Sequence, residues 1–233
     1  MSAPYDPDIH YVAAGDIFRG LAPRDRAEVE RLISYNVYPT GQIFHSPNEL
    51  GEQLFVLRSG RVRIYKLSPE GRALTLMVLE PVTIFGEMTL VGQWLHDTFA
   101  ESMAECVIGV IGRDTLRRIL EHYPQVAIAF MELMGQRLRA MENKLADIAF
   151  KSVPQRLASV LLSLAGVPPG QGQPEVPPSV VRYTHQQLAE MIGSYRETVT
   201  KAIGELREAG VIRIEDDAIA LTDLPQLQRL ANR

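Results

Sequence analysis

The segment from Thr184 to Ile212 most constrains what this chain can fold into, because two short amphipathic patterns meet there across a single glycine. Thr184-His185-Gln186-Gln187 has the form of a capping box, a hydroxyl followed three residues later by a glutamine, so a helix is predicted to start there. Leu188, Ala189, Met191 and Ile192 give that helix one apolar face, and Gly193 breaks it. A second helix is predicted from about Tyr195 to Ala209, with Val199, Ala202, Ile203 and Leu206 at i, i+3, i+4 and i+7 turned to a core. Arg196, Glu197, Thr200 and Lys201 are left outside. Gly210 ends this helix, and Val211 to Ile214, the acidic turn Glu215-Asp216-Asp217 and Ala218 to Leu221 read as a small hairpin. The whole is a winged helix-turn-helix.

A helix fits the major groove of double-stranded DNA, and its N-terminal residues reach base edges first. Arg196, Glu197, Thr200 and Lys201, in the first two turns, are therefore the expected DNA-facing residues, and their charged members suit direct readout. An arginine fork matches guanine O6 and N7 while a glutamate accepts from cytosine N4, each good pair discriminating by roughly 1–3 kcal/mol. The competing reading takes Ser194-x-x-Glu197 as a second capping box, with Arg196 and Lys201 merely solvated.

Gly193-Ser194-Tyr195-Arg196-Glu197-Thr198-Val199-Thr200-Lys201 resembles the recognition-helix signature G-x-S-R-E-T-V-x-R of the catabolite activator and fumarate-nitrate regulator (Crp/Fnr) family of bacterial transcription factors. The resemblance implies that Arg196, Glu197 and Lys201 read bases, and that Thr184, His185, Gln186, Tyr195 and Thr198 fall where family members touch phosphates. Tyr195 stands for the usual serine and Lys201 for the usual arginine, so a phosphate contact is altered and a planar fork becomes a point charge. A related but different half-site is expected.

With 233 residues, 46% of them hydrophobic, the chain is long enough for two domains. Its apolar runs are too short to span a bilayer, and Met1-Ser2-Ala3-Pro4-Tyr5-Asp6 lacks the basic and apolar regions of a signal peptide, so no membrane association and a cytoplasmic location are expected. The net charge of -4 does not favour nucleic acid, but from Lys151 onward nine basic residues balance nine acidic ones, which places the acidic excess upstream. DNA affinity would then rest on a local basic face and on dimerisation, and would fall steeply with salt.

The single cysteine, Cys106, sits in the apolar run Cys106-Val107-Ile108-Gly109-Val110-Ile111 and reads as a buried strand thiol. One thiol forms no disulfide within a chain, and an iron-sulfur sensor needs about four cysteine ligands. His10, His45, His96, His122 and His185 show no metal-ligand spacing, so no metal or cofactor is expected, haem ligation by one of them staying open. No nucleophile, base and orienting group assemble from local motifs, and no phosphate loop is present, so catalysis is not expected.

The N-terminal half reads as β structure after a helix predicted at about Arg24 to Ser34. Strand-like segments at Gln42 to His45, Gln53 to Arg58, Val62 to Leu67 and Ala73 to Leu79 are separated by turns at Gly41, Asn48 to Gly51, Gly60 and Ser68-Pro69-Glu70-Gly71. This rhythm predicts a β jelly roll. Leu54 to Val62 also resembles the cyclic-nucleotide-binding domain of the same family. The expected class is α+β, with a sensor-like β-roll over residues 1–123, a dimerisation helix and hinge over 124–151, and the winged helix-turn-helix over 152–233.

In that family a phosphate cassette holds the cyclic nucleotide, a glutamate taking the ribose hydroxyl and an arginine about ten residues later pairing with the phosphate. Here the cassette begins Phe85-Gly86-Glu87-Met88-Thr89-Leu90, and an ungapped count from Gly86 puts Asp97 at the arginine position and Thr98 at the following serine. A carboxylate about 4 Å from a phosphate repels it by roughly 4 kcal/mol at an effective dielectric near 20. Met141 and Glu142 stand where the family carries a Thr-Ser pair against the adenine. Cyclic AMP is therefore not the expected effector. Two readings stay open: a structural remnant with Trp94, His96 and Asp97 filling a collapsed pocket, or a site reshaped for another small molecule.

Pro124 to Phe150 has the length of a helix of roughly 40 Å. Ala127, Met131, Met134, Leu138, Met141, Leu145 and Ile148 alternate spacings of four and three, a heptad seam. The intervening Gln136, Arg137, Arg139, Asn143, Lys144 and Asp147 read as its solvated flanks, so Met131, Met134, Leu138, Met141, Leu145 and Ile148 are the expected homodimer contacts, with some packing on the β domain near the N-terminal end. Two recognition helices related by a two-fold axis would read an approximate palindrome. Lys151-Ser152-Val153-Pro154 reads as a hinge before a helix from Gln155 to Ala165. The Pro- and Gly-rich loop Gly166 to Ser179 occupies the place where relatives contact RNA polymerase, and its composition suits a plain linker equally. The expected function is a DNA-binding activator; the alternative is a sensor or interaction module whose winged helix reads no DNA.

Overall fold

A computed structural model describes residues 12–13, 15–87, 97–168 and 170–232. In chain order the elements are β1 (Val12–Ala13), α1 (Pro23–Glu30), β2 (Ser34–Tyr38), β3 (Ile43–His45), β4 (Gln53–Ser59), β5 (Val62–Leu67), β6 (Ala73–Leu79), β7 (Thr83–Phe85), β8 (Phe99–Ser102), β9 (Cys106–Gly112), α2 (Arg113–His122) and α3 (Pro124–Phe150). Then follow α4 (Val153–Leu164), β10 (Ser179–Val181), α5 (His185–Ile192), α6 (Arg196–Glu208), β11 (Ile212–Ile214), β12 (Ala218–Leu221) and α7 (Leu224–Ala231). The chain divides into two compact units, one of Ala13–Lys66 with Leu76–Leu138, the other including Leu67–Thr75 and Arg139–Arg233.

The first unit is the β-roll, built on a five-stranded sheet ordered β1-β6-β5-β8-β3 and a four-stranded sheet ordered β2-β9-β4-β7. β4 shows why its sequence runs apolar without alternating. Leu54 and Val56 enter a core with Ile17, Phe18, Val29, Ile84, Ile111, Leu116 and Val126. The opposite face carries Phe55, stacked on Phe85 at 4.8 Å and tilted against Phe44 at 5.6 Å. A strand buried on both faces has no solvated side to mark with polar residues. Cys106 is buried as expected, its thiol donating to the carbonyls of Arg61 at 3.3 Å and Ala104 at 3.2 Å, and burial pushes the thiol pKa up, which makes it a poor nucleophile.

In the β-roll one helix boundary differs from the sequence expectation. The first helix stops at Glu30, and Ser34 opens a strand instead of closing a helix. Tyr35 to Tyr38 pair with β9, where Gly109, opposite Tyr35, leaves room for the side chains of Ile33 and Tyr35. That long-range pairing overrides the local charged pattern of Arg24 to Arg31.

In the second unit α4, α5, α6 and α7 pack together beside a three-stranded sheet ordered β10-β12-β11. Val199, Ala202, Ile203 and Leu206 are the buried residues of α6, the four expected from spacing. The segment read as a hinge is shorter than expected: Ser152 is already the N-cap of α4, its capping box completed by Gln155, and Val153 and Pro154 are helical. Among the described residues no helix is long and apolar enough to cross a membrane, and no cluster of His, Cys, Asp and Glu forms a metal site.

Helix α3 carries two stripes. The expected seam is outward, with Met131, Leu138, Leu145 and Ile148 exposed in the single chain and Met134 partly packed on the β-roll core. A second stripe, Val126, Leu133, Arg137, Ala140, Lys144 and Asp147, is buried. Arg137, Lys144 and Asp147 are thus not solvated flanks, as their charge suggested. Each meets a polar group that offsets part of the desolvation: Arg137 the Ile84 carbonyl, Lys144 the Thr75 carbonyl, and Asp147 the Lys151 ammonium at 2.8 Å.

Lys144 also donates to the Met191 carbonyl at 2.9 Å, so one side chain joins Thr75 to the end of α5 within the second unit. Burial pushes its pKa down to about 7, with Asp147 opposing. The unfolded chain holds that proton to about 10.5, so between these values the unfolded state binds more protons and stability rises with pH. We expect denaturant titrations from pH 7 to pH 10 to show that rise in the wild type and a flatter profile in Lys144→Met.

Candidate nucleic-acid interface

The helix-turn-helix is locked by local chemistry before any partner is considered. Thr184 Oγ1 accepts from Gln187 N at 3.1 Å, and Thr184 N donates to Gln187 Oε1 at 2.8 Å, closing the capping box. Gly193 ends α5 at φ 63°, the left-handed conformation that favours glycine. Thr200 Oγ1 donates to the Arg196 carbonyl at 2.9 Å and lies 2.8 Å from His185 Nδ1. With the hydroxyl proton already placed, the His185 nitrogen carries the hydrogen in that contact. His185 and Thr200 therefore brace α5 against α6, and Gln186 Nε2 donates to Glu190 at 2.9 Å.

The first turn of α6 carries side chains with fewer internal bonds. Tyr195 is its N-cap by backbone conformation, without a side-chain cap bond, so Ser194-x-x-Glu197 is not a second capping box. Arg196, Glu197 and Thr198 follow, all exposed, and the side chains of Arg196 and Glu197 make no hydrogen bond or ion pair among the described residues. Lys201 approaches Glu205 at 3.9 Å, both exposed, an i,i+4 pair worth only a few tenths of a kcal/mol by the usual ~0.3–0.5 scale. A partner's anionic or base groups displace it at little cost. The hairpin behind is acidic at its tip: Arg213 pairs with Glu215 at 2.8 Å, and Arg182 donates to the Asp216 carbonyl at 2.9 Å. The carboxylates of Asp216 and Asp217 there repel phosphates.

The cassette is partly described, with Met88, Thr89, Leu90, Trp94 and His96 outside the described residues. Gly86 has φ 80°, and a Cβ there would lie 2.8 Å from the Gln53 carbonyl, so backbone geometry alone requires this glycine. Glu87 is engaged from within the β-roll by Arg137 Nη1 at 3.2 Å, while Nη2 reaches Thr83 Oγ1 at 3.3 Å and the Ile84 carbonyl. Asp97 fills no collapsed pocket. It pairs with Lys66 at 2.7 Å, its side chain 76% exposed, so solvent and a neighbouring cation screen the full repulsion that its position suggested. The composition makes a stronger point: from Ala73 to Gly112 the chain has neither lysine nor arginine. Thr98 is half-buried and presents its carbonyl to His45 Nδ1 at 3.0 Å. Met141 is half-buried and Glu142 exposed on α3, within the other unit.

A β-roll with a cyclic-nucleotide-type cassette, followed in the chain by a long helix and a winged helix-turn-helix, defines a transcriptional regulator with a DNA-binding head. Comparison with known proteins agrees: residues 35–123 match the cyclic nucleotide-binding domain and residues 155–230 the Crp-like helix-turn-helix domain. The chain is 30% identical over 227 residues to a CRP-like cAMP-activated global transcriptional regulator of Mycobacterium tuberculosis, covering 94% of this chain and 98% of that one. It is 28% identical to the cyclic AMP receptor protein of Thermus thermophilus over 92% of this chain and 96% of the relative. A solved CRP/FNR-family regulator from Thermus thermophilus superposes with a TM-score of 0.71 at 29% identity, over 86% of this chain and 99% of that one. The chain belongs to the Crp/Fnr family of transcriptional regulators.

Proposed function

We propose that this regulator acts as a homodimer on an approximate palindrome, activates transcription there, and does not take cyclic AMP as its signal. The observation that carries the DNA reading is the first turn of α6, where Arg196 and Glu197 stand exposed and, among the described residues, without a side-chain partner, on a helix whose other face is buried. Arg196, Glu197 and Lys201 are assigned to base edges, and Tyr195, Thr198, Thr184, His185 and Gln186 to the flanking backbone, where phosphate contacts fix register. Dimerisation rests on the outward stripe of α3, apolar over Met131, Met134, Leu138, Met141, Leu145 and Ile148. A two-fold pair of heads meets major grooves about 34 Å apart. Activation rests on the loop 166–179, most of whose described residues are exposed, as a surface that meets RNA polymerase must be.

The relatives named for cyclic AMP make the effector the sharper question. A cyclic phosphate needs a cation within reach: the Ala73 to Gly112 stretch supplies none, Lys66 is paired with Asp97, and the Arg137 fork is spent on Glu87, Thr83 and Ile84. The cassette is then either a structural remnant or a site for a small molecule of other chemistry. Selection of bound duplexes from random DNA, with and without cyclic AMP, tests both parts. The expected product is one two-fold-related motif, unchanged by the nucleotide. No enrichment would favour an interaction module, and enrichment that needs cyclic AMP would overturn the cassette reading.

A further inference from the structure

The β5–β6 turn brings a cation to the residue that opens the recognition helix. Gly71 N and Ser68 N close the turn, donating to the carbonyls of Ser68 at 2.9 Å and Arg72 at 2.8 Å. Arg72 then lies over the Tyr195 ring, its guanidinium carbon 4.1 Å from the centroid, with Nη1 donating to the phenol oxygen at 3.0 Å. Among the described residues one of its five N–H donors is used, and the plane is held by the ring face. Neighbouring contacts hold the turn in place: Lys144 joins the carbonyls of Thr75 and Met191, and Leu74 Cδ1 lies 3.4 Å from where a Cβ on Gly193 would sit.

We infer that Arg72 is a ligand for a DNA backbone phosphate, presented at the recognition helix by Tyr195. This rests on the reading of α6 as the base-reading helix. A duplex whose base edges meet Arg196 and Glu197 must bring backbone alongside Tyr195, the residue immediately before them. At that place the tyrosine hydroxyl is taken by Arg72, and the guanidinium offers paired donors that fit a phosphate better than one hydroxyl does. The C-terminal segment carries no net positive charge of its own, since nine basic and nine acidic residues cancel from Lys151 onward, the hairpin tip is acidic, and Arg196 and Lys201 are assigned to base edges. Arg72, 123 residues away in sequence, supplies one.

The test is the salt dependence of binding by the full-length protein to its selected duplex. A phosphate contact contributes about 0.9 to the log–log slope, so losing one from each protomer in Arg72→Ala flattens the slope by about 1.8. Between 50 and 200 mM salt the variant's affinity then falls by about twelvefold less than the wild type's, while the order of preference among sequences stays the same. Arg72→Lys keeps the charge and the wild-type slope. An unchanged slope in Arg72→Ala overturns the assignment, and tighter binding would make the Arg72–Tyr195 contact an inhibitory clamp instead. A wild type that retards no duplex at any salt defeats the DNA reading itself, an outcome distinct from either.

Discussion

Leu138→Asp combined with Leu145→Asp is expected to yield a folded monomer that no longer retards the palindromic duplex. In the single chain these leucines are 61% and 69% exposed, so their replacement removes little packing within the protomer. They lie seven residues apart, two helical turns along one stripe, flanked by Met131, Met134, Met141 and Ile148. In a two-helix seam each leucine would gain roughly 1–2 kcal/mol by completing its burial, or about 4–8 kcal/mol over the four leucines of a dimer. Aspartates in their place forfeit that and bring four like charges into an apolar contact. The loss corresponds to roughly three decades or more in the dimerisation constant. Sedimentation equilibrium reads the mass, and a circular-dichroism melt close to wild type shows that the protomer is intact. A dimer mass that persists at micromolar concentration would remove this stripe from the interface. The conservative pair Leu138→Met and Leu145→Met keeps the dimer, since Met fills a similar volume.

The helices of the DNA head were legible because their signals are local. The Thr184 capping box, the glycine at 193 and the four-residue apolar face of α6 each depend on neighbours within a turn or two, and the structure places all three as spacing predicts. α7 has the same kind of signal, with Asp223 accepting from Gln226 N at 2.8 Å and a proline in its first turn, and sequence reading passed over it although the chain displays it. β7 and β10 span three residues each, too short for any period to show. β2 depends on a partner strand more than 65 residues away, and its neighbouring charges mimic a helix.

The second stripe of α3 was illegible for a different reason. Charge predicts exposure unless a buried polar group waits at the same place, and nothing in the local sequence announces the carbonyls of Ile84, Thr75 and Met191. The same applies to the cassette. Counting along the chain located Asp97 but could not show that its carboxylate turns to Lys66, nor that Glu87 is already engaged by an arginine from α3. Arg72 at Tyr195 belongs here too, since cation–π contacts across long sequence separations leave no periodic trace.

Arg196→Ala separates base reading from backbone binding more sharply than any other single change. Its side chain is exposed and makes no hydrogen bond or ion pair among the described residues, so the variant should keep the wild-type fold and helix cap. In the complex the lost fork is worth about 1–3 kcal/mol per half-site, or about 2–6 kcal/mol over a palindrome, and at one position in each half-site the preferred base becomes indifferent. Salt dependence should barely change, because a base-edge contact neutralises no phosphate. Glu197→Ala should relax an adjacent position in the same way. Binding curves against a panel of single-base variants of the selected duplex read this directly. A uniform loss across the panel with a shallower salt slope would make Arg196 a phosphate ligand, while an unaltered panel would leave α6 pointing away from the bases. Set beside Arg72→Ala, whose expected loss is uniform and salt-linked, the pair assigns the two cations at the start of α6 to the two components of recognition, one to sequence and one to backbone.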